Sequence, residues 1–125
     1  MAQVRSFRTF VELDERNLTA NSVRARLDAV LDDGTCSTLL DDRGWAGEHI
    51  EDWTIAQIEL TARTVVGPDE AMVSRGETAE QMAEGYRQGL QDTLSRAGFD
   101  VANLNFDALP NVVELGPRLL ARLDS

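Results

Sequence analysis

Residues 21–33, NSVRARLDAVLDD, carry the reading on which the fold turns. Val23, Leu27, Val30 and Leu31 repeat at i, i+4, i+7 and i+8, the apolar stripe of a helix that faces a core. Asn21 or Thr19 is placed to accept hydrogen bonds from the free amides of a first turn. Gly34 comes next, where a left-handed C-terminal cap belongs. The spacing predicts a helix over 21–33.

Upstream, residues 3–13, QVRSFRTFVEL, alternate with period two. Phe7, Val11 and Leu13 fall on one side, Val4 and Phe10 on the other, which predicts an interior or covered strand. Downstream, residues 35–52 hold two glycines, a Ser/Thr cluster and many acids, and are expected to form a long loop. Residues 53–66, WTIAQIELTARTVV, alternate with Ala56, Ile58, Leu60, Ala62 and Val66 on one face, which predicts a strand ended by Gly67–Pro68.

Residues 78–97 form the second expected helix. Thr78 and Gln81 fit a capping box, Glu77 and Glu80 suit the positive N-terminal end, and Gly98 with Phe99 fits a C-cap. Gly85 and Gly89 sit one turn apart inside it, at a cost of about 1 kcal/mol each relative to alanine. Close packing of helix on sheet is the expected reason, with a helix–helix seam between two copies as the alternative. Farther on, 101–106 or 111–115 is a third strand, and Gly116–Pro117 opens a short C-terminal helix.

This order predicts an α+β fold: a single two-layer domain over 1–125, a small sheet with two main helices packed on it, and an acidic loop at 35–52. A hydrophobic fraction of 42% and a charged fraction of 27% fit a folded domain of this kind. No apolar run approaches the roughly 18 residues of a membrane span. A single cysteine and no signal-peptide pattern at the N-terminus lead to the expectation of a reducing, cytoplasmic setting.

The composition also removes chemistries. All twelve basic residues are arginine, so no lysine is present for a Schiff base or a P-loop. One histidine, His49, and one cysteine, Cys36, cannot supply the four N/S ligands of a zinc finger. The patterns GxGxxG, GxSxG and HExxH are absent. Three weaker chemistries remain: a Cys36–His49 pair, oxygen ligation of a divalent cation by Asp32–Asp33 with Asp41–Asp42, and acid–base work by Glu12 with Glu59. No cofactor or metal is expected.

The net charge is −10, which argues against direct binding to nucleic acid and for a basic partner. The excess is local. Between Asp32 and Trp53 stand Asp32, Asp33, Asp41, Asp42, Glu48, Glu51 and Asp52 against Arg43 alone. Between Asp69 and Glu84 stand Asp69, Glu70, Glu77, Glu80 and Glu84 against Arg75 alone, and the remaining chain is balanced. Trp45 and Trp53 bracket the acidic end of the first segment and have the character of interface anchors.

The expected function is therefore a non-enzymatic, acidic protein-binding module docking on a basic protein surface. The expected site is Asp32, Asp33, Asp41, Asp42, Trp45, Glu48, His49, Glu51, Asp52 and Trp53. Its logic is that of an inhibitor of a nucleic-acid enzyme, of immunity, antitoxin or phage anti-defence type, whose acids stand in for phosphates. The alternatives are a virion, tail-assembly or other ring-forming subunit built from copies of the chain, and a small enzyme using His49 or the carboxylates.

Overall fold

The computed structural model describes residues 3–14, 22–46, 49–99, 101 and 104–123. It is an α+β domain with one mixed four-stranded sheet. The strands are β1 (Val4–Leu13), β2 (Ser22–Leu31), β3 (Cys36–Ala46) and β4 (Asn111–Leu115). The helices are α1 (Ile55–Val65), α2 (Ala79–Arg96) and α3 (Pro117–Leu123). The sheet order is β3-β2-β1-β4; β1 pairs antiparallel with β2 and parallel with β4, and β2 pairs antiparallel with β3.

The expected helix over 21–33 is a strand. Val23, Ala25, Leu27, Ala29 and Leu31 are all buried, a strict period of two that outweighs the helical repeat among four of the apolar residues. A hairpin turn then joins β2 to β3. Leu31 N–H donates to the Thr35 carbonyl at 2.8 Å, and Gly34 N–H donates to the Leu31 carbonyl at 3.0 Å. Gly34 takes the left-handed conformation (φ 88°) that closes a three-residue hairpin loop. Asp-Asp-Gly is thus a strand-to-strand turn and not a helix end.

The expected loop at 35–52 is, over Cys36–Ala46, the edge strand β3. Its pairing with β2 shifts register on either side of Leu27, and farther along, opposite Arg24, Gly44 permits a close approach: a Cβ at this position would lie 2.3 Å from the Val23 carbonyl oxygen. The expected strand at 53–66 is α1. Thr54 and Gln57 form a full capping box, with Thr54 Oγ1 accepting from Gln57 N–H at 3.1 Å and Gln57 Oε1 accepting from Thr54 N–H at 2.9 Å. Ile58, Ala62 and Val66 turn inward, whereas Leu60, expected on the same face, is 69% exposed.

β1, α2 and α3 form where the sequence places them, and β4 takes the second of the two places offered for a further strand. The Thr78–Gln81 capping box is present in full. At the other end of α2, Phe99 N–H reaches the Leu94 carbonyl at 3.0 Å over the left-handed Gly98. The packing reason for Gly85 and Gly89 is absent: both are exposed, and a Cβ on either meets nothing within 4 Å among the described residues.

One face of the sheet carries the core. Phe7, Val11, Val23, Ala25, Leu27 and Ala29 share it. Two clusters sit side by side there. The first packs Phe7, Leu27 and Leu31 against Val66, Leu90 and Leu94. The second packs Val11 and Val23 against Ile50, Ile58, Ala62 and Leu119, and Trp45 touches both. The opposite face of β1 and β2 presents Arg8, Phe10, Arg24, Arg26 and Asp28, and these residues join neither cluster.

A candidate interaction surface on the acidic β3 edge

The structure separates the nine described residues of the expected site into three places. Asp32 and Asp33 build the β2–β3 turn. Asp32 Oδ1 accepts from Gln3 N–H at 3.2 Å. Asp33 Oδ1 accepts from the Thr35 hydroxyl at 2.6 Å and the Thr35 amide at 3.0 Å, bonds that hold its carboxyl below its ordinary range. Asp41 lies roughly 17 Å up the strand from Cys36, at about 3.3 Å per residue, so the twin acids do not converge. No group of three or more metal-ligating side chains occurs among the described residues.

Past β3, His49 adopts a left-handed conformation (φ 55°), with its exposed side chain at the start of a single 3-10 turn over Ile50–Asp52. The buried residue of that turn is Ile50, while Glu51 lies 4.0 Å from Arg122 and Asp52 is exposed. Glu48 lies outside the described residues. Cys36 and His49 flank opposite ends of β3, which spans roughly 33 Å, so they form no catalytic pair. Glu12 is spent on the chain's own backbone: its carboxylate accepts from the amides of Leu13 and Leu119, both at 2.8 Å, and of Arg118 at 3.2 Å. Glu59, its supposed partner, is on α1.

Trp45 and Trp53 stack at 6.1 Å with an interplanar angle of 23°. Both are half-buried against the second core cluster, so they form a wall and not a pair of free anchors. The Trp45 indole N–H is buried with no acceptor among the described residues.

The residues that do come together are arranged around Arg43. Its Nη1 donates to the Val65 carbonyl at 3.1 Å, the Gly67 carbonyl at 3.4 Å and Asp69 Oδ1 at 3.1 Å. Its Nε lies 3.6 Å from Asp42 Oδ1. One guanidinium thus ties β3 to the turn after α1 and joins the two acid-rich segments of the sequence. Two open hollows meet at Arg43 and Gly44: Asp14, Asp41 and Asp42 rim one, and Asp42, Asp69 and Glu70 rim the other. Asp42 and Asp69 keep 80% and 71% of their side-chain surface in water, so their charge faces outward despite the shared arginine.

Sequence reasoning misses two features of this region. Asp14 joins the rim because its amide donates to the Ser22 carbonyl at 2.9 Å, continuing the β1–β2 pairing, and no local pattern signals that. Asp28 is the other: it is 1% exposed and gathers Arg8 Nη2 at 2.9 Å, Arg26 Nε at 3.1 Å and the Thr38 hydroxyl at 3.1 Å. An acid in the middle of a period-two run is the signal for it. The Asp28 bond holds the Arg8 guanidinium above its ordinary range.

Comparison with protein-family models, with curated proteins and with solved structures gives no match to this chain. No helix among the described residues is long and apolar enough to cross a membrane.

Proposed function

We propose that this chain is a non-enzymatic binding module that docks a basic protein surface on the acidic rim around Arg43. The observation that supports this most is the convergence on Arg43 of Asp42 and Asp69, which stand 27 positions apart in the chain. Asp14, Asp41 and Glu70 extend the rim to five carboxylates, with Arg24 and Arg43 among them. Exposed acids of this kind raise association rates and select partners more than they add affinity. A nucleic-acid enzyme is the partner class with a matching basic face, and blocking that face makes the module an inhibitor of immunity, antitoxin or anti-defence type.

A second reading, assembly from copies of the chain, has one observation in its favour. The edge strand is uncharged over Cys36–Leu40, so half of its free ladder lacks the charges that guard Asp41–Arg43. Sedimentation of the purified chain separates the two readings, because a monomer at high concentration leaves only the basic partner.

The test is capture from the native host, and then affinity measurement with the purified partner across a salt series. Asp41→Arg, Asp42→Arg and Asp69→Arg together are expected to weaken binding at least a hundredfold and to reverse its salt dependence. Glu51→Arg with Asp52→Arg, beyond the end of β3, is expected to change it little. Equal affinity of the rim variant and the wild type overturns the reading.

A further inference from the structure

The first core cluster does not close completely. Between α1, α2 and the sheet lies a half-open cavity of about 350 Å³. Phe7 and Leu27 form its floor, and Phe106 stands against Phe7 with ring centroids 5.7 Å apart and planes 14° apart. Val66, Tyr86, Leu90 and Leu109 add apolar walls. The Tyr86 hydroxyl is already donated to the Val66 carbonyl, so this side chain offers the cavity its ring.

Among the described residues the charged groups of the lining are Arg63 and Arg87, joined by the polar Asn111, and no described Asp or Glu lines it, in a chain with 22 acids against 12 arginines. Arg63 is steadied by a bond from Nη2 to the Asn111 carbonyl at 3.2 Å. Arg87 lies 3.4 Å from Glu84, a carboxylate 75% exposed and outside the lining. Asn111 Oδ1 accepts from the buried Thr9 hydroxyl at 2.7 Å, which fixes the side-chain amide and leaves its NH2 as the donor.

Protein cores are close-packed and leave few voids larger than a water molecule. Apolar cavities of roughly 300–1,000 Å³ with a small number of convergent polar groups are the form taken by small-molecule sites. From this geometry we infer that the cavity binds a small amphipathic carboxylate. Its apolar body lies against Phe106, Tyr86 and Leu90, and its carboxylate meets the guanidiniums of Arg63 and Arg87, which suit a planar two-oxygen head. At about 30 Å³ per atom, as for water, the space holds on the order of a dozen non-hydrogen atoms. This site is independent of the acidic rim, from which the Gly67–Pro68 turn divides it.

The test titrates the full chain with naphthoate, indoleacetate and decanoate by calorimetry, and monitors the amides of Leu90, Phe106 and Leu109 by NMR. At least one of these acids is expected to bind one-to-one, with a Kd on the order of 100 µM or tighter. Its neutral alcohol is expected to bind at least tenfold more weakly. Arg63→Gln with Arg87→Gln is expected to weaken the acid tenfold or more and leave the alcohol unchanged. Arg63 is exposed and Arg87 partly so, and the unchanged alcohol affinity of the double variant shows that its cavity is still folded. Ala83→Trp, which fills the cavity from α2, is expected to abolish both. Three results each overturn the inference: no saturable binding by any of the three acids, an alcohol that binds as tightly as its acid, or a double arginine variant with wild-type affinity.

Discussion

At Asp28 one buried carboxylate gathers two arginines; at Arg43 one half-buried arginine gathers carboxylates and backbone carbonyls. The first knot is on the open side of the sheet, across β1 and β2. The second is at the β3 edge, against the turn that ends α1. Burial decides what each contributes. Asp28 has exchanged almost all of its water for Arg8, Arg26 and Thr38, so its partners are obligatory. The acids at Arg43 remain hydrated, so those ion pairs are weak and their charges stay available outward. In a chain with almost twice as many acids as arginines, Arg8, Arg26 and Arg43 are placed where structure needs them, and Asp42 and Asp69 face the solvent.

Breaking the buried knot is expected to have the largest effect. Asp28→Ala removes the one carboxylate shared by Arg8 and Arg26. Stranding a buried charge costs roughly 3–5 kcal/mol, but Arg8 and Arg26 keep 30% and 40% of their side-chain surface in water. The expected loss is therefore about 2–3 kcal/mol, read as a lower urea midpoint with an unchanged slope. Asp28→Asn keeps an acceptor for the Thr38 hydroxyl and is expected to cost less. If both variants unfold at the wild-type midpoint, the sheet does not depend on this knot.

The edge knot is expected to break more cheaply, and through the backbone more than through the acids. Val65 is the last residue of α1, and its carbonyl lacks a helical partner. Arg43 supplies a donor to that carbonyl and a positive charge at the helix C-terminus. Arg43→Gln is expected to cost about 1–1.5 kcal/mol, with little dependence on salt. Asp42→Asn and Asp69→Asn are each expected to stay within about 0.5 kcal/mol of wild type. Thermal unfolding at low and high salt checks this. If Asp69→Asn costs as much as Arg43→Gln, the ion pair and not the carbonyl contacts holds the turn.

The same contrast explains what the amino-acid sequence makes legible. α2 is readable because its caps at Thr78 and Gly98 and its stripe through Leu90 and Leu94 agree with one another. β3 is not, because an edge strand solvated on much of its surface needs no alternation, and Asp41, Asp42 and Gly44 look like loop residues. β2 admits two periods, since its alanines and arginines are good helix formers, and the Asp-Asp-Gly turn decides between them only when read as a hairpin. α1 also admits two, and there Thr54 with Gln57 decides. Of the candidate site, Asp41 and Asp42 are legible as exposed acids, but their convergence with Asp14, Asp69 and Glu70 depends on pairings between distant segments.

The smallest effect is also the sharpest probe of the edge knot, because Tyr86 holds the other side of the same turn. Its hydroxyl donates to the Val66 carbonyl, next to the Val65 and Gly67 carbonyls taken by Arg43. Burial raises the Tyr86 phenol above the ordinary value of about 10, and the nearby Arg43 charge pulls it partly back. A group whose folded pKa lies above its unfolded one contributes stability that is complete below the unfolded value. That contribution fades as pH rises through the folded value, so the loss falls in alkali, above about pH 10. Tyr86 is the one tyrosine of the chain, so the tyrosinate absorbance of the native protein reports it alone. Its midpoint is expected above about 10 in the wild type and higher still in Arg43→Gln, where the stabilising positive charge is gone. A midpoint that moves down in that variant, or stays in place, means that Arg43 and Tyr86 do not clamp the same turn.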